Sequence, residues 1–261
     1  MIPRLPGPAA CARRSAGAAA IVAVLAAIGI PGARADVWAY LDAQGRPHFA
    51  TRQVDARYQL FFKGSSSLDP VAPDAAAADA RAALARRPLY RRVVDGPNAR
   101  RFAPLLERSA AAFGLDAALL KAMVAVESAY DPAAVSDKGA VGLMQVLPET
   151  GMRYGVAPDA RRTVAQKLAD PALNVSIGAR YLRDLLAMFG DDRALALAAY
   201  NAGEQSVRQY GNRVPPYAQT QDYVALVRQF ETLYRPPPAA RPPQARPTLD
   251  LPGKRAAAAP T

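Results

Sequence analysis

Apolar residues at helical spacing fill the chain from residue 102 to residue 234, and no convincing strand pattern interrupts them. The clearest helix start is Asp170-Pro171, because Asp is a favoured N-cap and Pro a favoured first residue of a helix. Further helices are predicted over residues 102–112, 116–129, 192–202, 204–210 and 220–234. The pattern therefore predicts an all-α domain over residues 99–235.

The segments on either side of this domain differ from it in composition. Residues 36–64 contain two short extended pieces, Val37–Leu41 and 48–51, around a turn, which predicts a small β-hairpin module. Two strands are marginal alone, so the module must pack against another element or bind a partner. Residues 65–98 are rich in Ser, Pro, Ala and Asp and are interpreted as a linker. Residues 236–261 are rich in Pro and Ala and predict a disordered, polyproline-like tail.

The first 35 residues have the pattern of a secretory signal peptide. Three arginines precede an apolar run over residues 18–30, and Ala33-Arg34-Ala35 offers a small-x-small cleavage site. The run has 13 residues, whereas a helix needs about 20 to span a bilayer. We therefore expect a periplasmic or secreted protein after cleavage, with an uncleaved N-terminal anchor as the alternative.

The chain has almost no cysteine or histidine. Cys11 is the only cysteine and precedes the apolar run, where it cannot serve as a lipid-attachment site and is lost with the signal. His48 is the only histidine and is interpreted as a strand residue. Disulfides, cysteine nucleophiles, thiolate metal sites and histidine-based triads are therefore excluded from the mature chain, which leaves carboxylates as the reactive groups.

The basic charge is concentrated outside the helical part. The formal charge is +11, of which four arginines lie in the predicted signal, leaving +7 for the mature chain. Residues 97–235 hold 16 Lys and Arg against 14 Asp and Glu. Such a weak and scattered excess predicts mild attraction to an anionic polymer and no nucleic-acid partner.

One carboxylate lies on an apolar helix face. Leu120, Val124 and Glu127 fall at positions i, i+4 and i+7, so Glu127 continues an apolar stripe in the last turn of the predicted helix. Burial and the negative end of the helix dipole are both expected to raise its pKa. A carboxyl that holds its proton near neutral pH can act as a general acid. The alternative is a glutamate that pairs with Lys or Arg on a neighbouring helix.

Four motifs occur in a characteristic order and spacing. They are Glu127-Ser128, Gly139-Ala140-Val141-Gly142-Leu143-Met144-Gln145, Ala199-Tyr200-Asn201-Ala202-Gly203, and Tyr223 in the last helix. Over residues 103–233 the chain resembles the soluble lytic transglycosylases, which implies a lysozyme-like all-α catalytic domain. The hairpin resembles a small N-terminal domain of unknown function found ahead of some bacterial envelope proteins. The hairpin and the Pro-rich tail are each a candidate site for envelope protein partners, with a plain flexible tail as the alternative.

The resemblance implies a non-hydrolytic cleavage of peptidoglycan glycan strands. Glu127 is expected to protonate the leaving oxygen of the MurNAc-GlcNAc β-1,4 bond and then to deprotonate the muramyl O6, which closes a 1,6-anhydro ring. The substrate acetamide stabilises the sugar cation between these steps. Asp131 and Asp137, the nearest candidates for a second carboxylate, are interpreted as turn or solvated residues. The scheme requires no metal and no organic cofactor.

Seven further residues are expected at the substrate, and they are Ser128, Gly142, Met144, Gln145, Tyr200, Asn201 and Tyr223. Gly142 allows close backbone approach beside a groove, Gln145 offers an amide to sugar hydroxyls, and Met144 offers an apolar surface to a ring face. Asn201 can reach into the groove, and Tyr200 or Tyr223 can hydrogen-bond the carboxyl or the acetamide, with Tyr223 the preferred carboxyl partner.

Each of these assignments has a structural alternative. Met144 is then a core residue, Asn201 a capping residue beside Gly203, and Ser128 a hydroxyl bonded to its own helix. Either tyrosine is then an ordinary core residue. The loop over residues 213–220 ends in Ala-Gln-Thr where Pro-Glu-Thr is common in the family, which leaves its glycan contacts open.

Two other functions are compatible with parts of the sequence. A muramidase would use the same acid with water as nucleophile, and a non-catalytic peptidoglycan-binding protein would act through the hairpin and the tail. An acid on an apolar helix face disfavours the binding protein, because a binding module has no evident use for it.

Overall fold

The computed structural model describes residues 36–43, 46–63 and 82–235. The predicted signal peptide, the tail and most of the predicted linker lie outside the described residues. Three strands form one antiparallel sheet in the order β2-β1-β3, with β1 (Val37–Leu41) between β2 (Pro47–Ala50) and β3 (Gln59–Phe62). The predicted hairpin is the β1-β2 pair, in which Tyr40 lies opposite His48.

Helices make up most of the rest. They are α1 (Pro88–Val93), α2 (Pro97–Phe113), α3 (Ala117–Ser128), α4 (Pro148–Arg153), α5 (Val164–Leu168), α6 (Pro171–Met188), α7 (Arg193–Ala202), α8 (Glu204–Gln209) and α9 (Ala218–Tyr234). The prediction of a mainly helical domain preceded by a small β module is confirmed. Only two isolated bridges, Val135–Val141 and Val141–Val146, add β structure to the described part of the helical domain.

Aspartate caps start three of the helices, and one of these caps, Asp170, was predicted from the sequence. Asp116 accepts from the backbone N–H of Ala118, and Asp170 accepts from that of Leu173, each at 2.8 Å. Asp192 begins α7 in the same way. These caps satisfy N–H groups that have no partner within the helix. The starts of α3, α6 and α7 are therefore determined by local sequence.

The sheet packs against α9 through aromatic side chains. Phe230 of α9 is completely buried, and its ring lies 4.9 Å from Phe49, 5.8 Å from Phe61 and 6.1 Å from Phe62 between centroids. The hairpin prediction omitted β3, whose consecutive buried residues Phe61 and Phe62 break the alternation that marks a half-exposed strand. The module packs against α9, which supplies the support that a small sheet needs.

The described part of the predicted linker is helical. Residues 82–85 and α1 are helices, and Val93 is 1% exposed. The guanidinium of Arg87 donates to the carbonyls of Leu60 and Phe61 at 2.8 Å. Residues 82–98, within the predicted linker, therefore contain helices, and Pro88 and Pro97 lie at helix starts there.

The core lies between α9, α3, α7 and α6, with α2 packed on α6. Its largest completely buried side chains include Leu120, Met123, Leu143, Leu182 and Leu197. Within the described residues, no helix combines the length and the apolar character needed to cross a membrane.

Candidate active site

Glu127 lies in the last turn of α3, at a sharply turned helix end. The next two residues, Ala129 and Tyr130, have φ of 48° and 64°, a conformation that costs non-glycine residues energy. Tyr130 is 2% exposed, its hydroxyl donates to the carbonyl of Lys121 at 3.1 Å, and its own carbonyl accepts from Asn98 at 3.1 Å. Packing and hydrogen bonds on both sides therefore hold this strained turn and the end of α3.

The carboxyl of Glu127 is surrounded by protein while the residue keeps partial exposure. Burial raises its pKa from 4.5 to about 7, although a hydrogen bond from Tyr223 opposes part of the rise. No ion pair to Lys or Arg is found for Glu127 within the described residues. Among the described residues, Glu127 therefore does not form the ion pair with a basic residue that was the alternative interpretation.

Tyr223 of α9 is the hydrogen-bond partner of this carboxyl. Its hydroxyl donates to Oε1 of Glu127 at 2.7 Å. Burial and the neighbouring Glu127 charge raise the pKa of Tyr223 well above its usual value, so the hydroxyl keeps its proton and remains a donor. Of the two candidate tyrosines, Tyr223 is the one placed on the acid.

Tyr200 of α7 lies close enough for the charge of Glu127 to raise its pKa, after the larger effect of burial. Its hydroxyl donates at 2.9 Å to the backbone carbonyl of Met144 and not to Glu127. The side chain therefore ties α7 to the loop over residues 139–145 instead of contacting the acid. This is the satisfied tyrosine that the sequence left as an alternative.

A buried asparagine holds the loop over residues 139–145 in place. Asn174 of α6 is 0% exposed; its Oδ1 accepts from the N–H of Met144 at 2.8 Å, and its Nδ2 donates to the carbonyls of Val141 and Leu168 at 2.7 and 3.0 Å. Sequence reasoning did not single out this residue. The available signal was a polar amide on the apolar face of a long helix.

Gly142 and Met144 allow the loop over residues 139–145 to pack closely against α6. Gly142 has φ of 76°, and a Cβ there would lie 2.7 Å from Nδ2 of Asn174. Met144 is 0% exposed and packs on Gly178, where a Cβ would come within 2.6 Å of its sulfur. Met144 is therefore a core side chain and not the groove wall that was expected, because the loop folds back onto α6.

Ser128 and Gln145 bind backbone within the site. The Ser128 hydroxyl lies 2.9 Å from the carbonyl of Leu143 and 3.2 Å from that of Val124, so it links the end of α3 to the loop. The Gln145 amide nitrogen donates to the carbonyls of Ala134 and Gly142 at 3.1 and 2.9 Å. This leaves the half-buried Gln145 with its side-chain oxygen as an acceptor for a ligand.

Asn201 lies at the end of α7 and pairs with the start of α9. Its Oδ1 accepts from the hydroxyl of Thr220 at 3.0 Å, and the residue is half-buried. Gly203, with φ of 85°, ends α7 and starts α8. The side-chain nitrogen of Asn201 remains the group that could donate to a ligand.

Part of the sequence matches a known family profile. A profile described as the transglycosylase SLT domain matches residues 104–222. The soluble lytic murein transglycosylase of Salmonella typhimurium is 36% identical over 124 residues, which cover 42% of this chain and 19% of that protein. The endo-type membrane-bound lytic murein transglycosylase A of Klebsiella pneumoniae is 41% identical over 86 residues, 32% of this chain and 42% of that protein. The crystal structure of the 70 kDa soluble lytic transglycosylase of Escherichia coli is 27% identical with a TM-score of 0.48, over 62% of this chain and 28% of that chain.

The matched range contains Glu127, the loop that holds Gly142, and Asn201, and it ends directly before Tyr223. Over residues 104–222 the chain is similar to the transglycosylase SLT domain. It spans less than half the length of the curated relatives it matches, 19% and 42% for the two named above. The resemblance on which the sequence analysis relied is confirmed for this domain.

A second carboxylate within residues 104–222 is kept charged. Burial alone would raise the pKa of Glu204, but hydrogen bonds from its own backbone N–H, from Arg153 and from Tyr181 lower it overall. Arg153 lies 2.6 Å from Oε1 of Glu204, and the Tyr181 hydroxyl donates to Oε2 at 3.0 Å. No local sequence pattern marks this cluster, because its members come from three helices that are distant along the chain.

This cluster is connected to the acid through aromatic rings. The ring of Tyr181 lies 5.1 Å from that of Tyr200, which is the neighbour of Glu127.

The two other carboxyls considered from the sequence lie in turns or in solvent. Asp131 accepts a hydrogen bond from the N–H of Ala133 at 2.9 Å as a turn residue, and Asp137 is exposed. Among these three carboxyls, Glu127 is the one whose pKa is raised, to about 7.

Tyr223→Phe is expected to shift the pH dependence of the proposed reaction. The hydroxyl stabilises the charged form of Glu127, so its removal should raise the pKa of Glu127 and move the basic limb of the rate profile upward by about 1 unit. Rates should also fall about tenfold. The check is the initial rate of muropeptide release across a pH series.

Tyr154→Phe is the matched control, because it removes a hydroxyl bonded to a different carboxylate, Asp184, at 2.6 Å. It should leave the basic limb in place. If the basic limb of the Tyr223→Phe rate profile lay at the same pH as in wild type, or at a lower pH, the assigned role of the hydroxyl would be contradicted.

Proposed function

We propose that this protein is a peptidoglycan lytic transglycosylase that cleaves the MurNAc-GlcNAc β-1,4 bond without water. The observation that carries the proposal is the pairing of Glu127 with Tyr223 inside an SLT domain, where burial raises the pKa of the carboxyl to about 7. The names of the relatives, which are murein transglycosylases, support the substrate. An acid that is protonated at neutral pH supports the first chemical step.

In that step Glu127 gives its proton to the bridging oxygen, and the bond between this oxygen and C1 of MurNAc breaks. The electron pair of the bond stays with the departing GlcNAc oxygen. The acetamide of the MurNAc residue stabilises the cation that remains, in the manner of substrate-assisted glycosidases. Tyr223 keeps its hydrogen bond to the Glu127 carboxylate, which stabilises the charge formed by proton transfer.

In the second step the Glu127 carboxylate takes the proton of the muramyl O6 hydroxyl, and O6 bonds to C1. This closes the 1,6-anhydro ring and returns Glu127 to its protonated form, so no water is consumed. A pKa of about 7 suits both directions of transfer near neutral pH. The free acceptor of Gln145 and the side-chain nitrogen of Asn201 are the proposed contacts to sugar hydroxyls and acetamides.

We place the protein in the bacterial cell envelope, where peptidoglycan lies. The relatives include proteins named soluble and proteins named membrane-bound, which supports an envelope location. The sequence-based signal peptide over residues 1–35 remains the proposed route of export.

The test is mass spectrometry of the muropeptides that the protein releases from purified peptidoglycan. Anhydromuropeptides support the proposal, whereas reducing-end products about 18 Da heavier, the mass of one added water, would mean a muramidase. If the wild-type protein pulls down with peptidoglycan but releases nothing, it is a binding protein and the proposal fails.

A further inference from the structure

Three residues near the start of α9 contact three separate parts of the protein. Thr220 donates to Asn201 of α7 at 3.0 Å, and Tyr223 donates to Glu127 of α3 at 2.7 Å. Between them, Asp222 accepts a hydrogen bond from the hydroxyl of Thr51, which directly follows β2. The first turns of α9 therefore join the acid, the motif at the end of α7, and the N-terminal sheet.

The sheet contacts α9 at two points along its length. One is the Thr51–Asp222 hydrogen bond, beside which Arg52 lies 3.9 Å from Asp222. The other is the aromatic packing of Phe49 on Phe230, eight residues further along and about two helical turns away. Two contacts at this separation resist both rotation and sliding of the helix, whereas either alone would allow one of these motions.

We infer that Thr51 is a positioning residue for the proposed reaction, which acts through Asp222 to place the Tyr223 hydroxyl on Glu127. Asp222 and Tyr223 are neighbours in α9, so a displacement of one moves the other. A shift of about 1 Å would stretch a 2.7 Å hydrogen bond beyond the range in which such bonds are effective. The N-terminal sheet is then part of the catalytic apparatus and not a separate partner-binding module.

The pKa of Glu127 reports this placement. Among the described residues, the titratable groups that interact electrostatically with Glu127 are Tyr223 from α9 and Tyr200 from α7. The Tyr200 hydroxyl is held by the carbonyl of Met144, in the loop over residues 139–145. If α9 moves, the Tyr223 bond is what weakens, and the loss of a donor to the charged form raises the pKa of Glu127.

The experiment is an NMR titration of the full chain with ¹³C-labelled glutamate carboxyls, in which the Glu127→Gln spectrum assigns the resonance. Thr51→Val keeps the side-chain shape without the hydroxyl and should raise the pKa of Glu127 by about 0.5 unit, whereas Thr51→Ser should preserve the wild-type value. The rate of muropeptide release should fall about threefold in Thr51→Val with little change in KM.

Thr232→Val is the control on the same helix. Thr232 is also half-buried and also uses its hydroxyl as a donor, but to the carbonyl of Gln229 within α9, at 2.7 Å. It should leave the pKa of Glu127 unchanged. An equal rise in Thr51→Val and Thr232→Val would mean a general loss of stability and would overturn the positioning role.

Asp222→Ala tests the same contact from the helix side and serves if Thr51→Val does not fold. It should raise the pKa of Glu127, and Thr51→Val should add no further shift in its background, because the contact is already lost. Additive shifts, or a wild-type pKa in both single variants, would refute the inference. The inference rests on the proposed function only for its effect on rate. If the wild-type protein released no anhydromuropeptides, the proposed function would fail while the titration still decided the positioning.

Discussion

Glu127→Gln is expected to reduce the release of anhydromuropeptides by about 10³-fold or more, because one carboxyl serves as both acid and base in the proposed scheme. The amide retains the shape of the side chain and can still accept the hydrogen bond that Tyr223 donates at 2.7 Å. The fold should therefore survive, and peptidoglycan binding should remain. Product analysis by mass spectrometry, together with a pull-down on insoluble peptidoglycan, checks both parts. A variant with more than about a tenth of wild-type activity would contradict the role of Glu127.

The same substitution should change how stability depends on pH. Burial raises the pKa of Glu127 from 4.5 to about 7, so between these values the native state holds a proton that the unfolded state has lost. The contribution of Glu127 to the free energy of unfolding should therefore be largest below about pH 4.5. It should fall by about 3 kcal/mol in total as the pH rises to about 7. Urea unfolding of wild type and variant at both ends of this window should show the variant gaining stability over wild type as pH rises. If the free energies of unfolding of wild type and variant changed equally with pH, the pKa of Glu127 would not be raised in the folded protein.

The features that could be predicted from the sequence depend on residues only a few positions apart. Asp116, Asp170 and Asp192 each cap a predicted helix because an aspartate oxygen bonds N–H groups only two or three residues ahead. The prediction that Glu127 faces the interior is also local, since it follows from helical spacing. These features need no knowledge of the tertiary fold.

The remaining features depend on contacts between distant segments. Met144 is buried because its loop folds back onto α6, where Gly178 leaves room for it. Asn174 bonds residues 30 and 33 positions earlier in the chain, and its role is visible only once α6 and the loop lie together. Thr51 lies 171 positions from Asp222. No periodic pattern encodes such pairs, so the sequence indicated Glu127 and its partner Tyr223 but not Asn174 or Thr51.

Gly142→Ala is expected to destabilise the protein far more than Gly139→Ala, although both glycines have nearly the same backbone conformation, with φ of 76° and 78°. Each substitution puts a side chain into the left-handed region, at about 1–2 kcal/mol. A Cβ at Gly139 meets nothing within 4 Å, whereas one at Gly142 would lie 2.7 Å from Nδ2 of Asn174 and 3.2 Å from the carbonyl oxygen of Leu168. The difference between the two variants therefore isolates the close contacts with Asn174 and with the carbonyl of Leu168.

Asn174 cannot move away cheaply, because it is completely buried and its amide bonds Met144, Val141 and Leu168. Displacing it would leave buried backbone groups without partners, at about 1–3 kcal/mol each. Gly142→Ala should thus cost about 3 kcal/mol more than Gly139→Ala in urea unfolding. It should also lower activity, since the displaced loop carries Gln145 and the carbonyl that holds Tyr200. Equal losses of stability in the two variants would show that backbone conformation alone, and not the fit against Asn174, requires glycine at position 142.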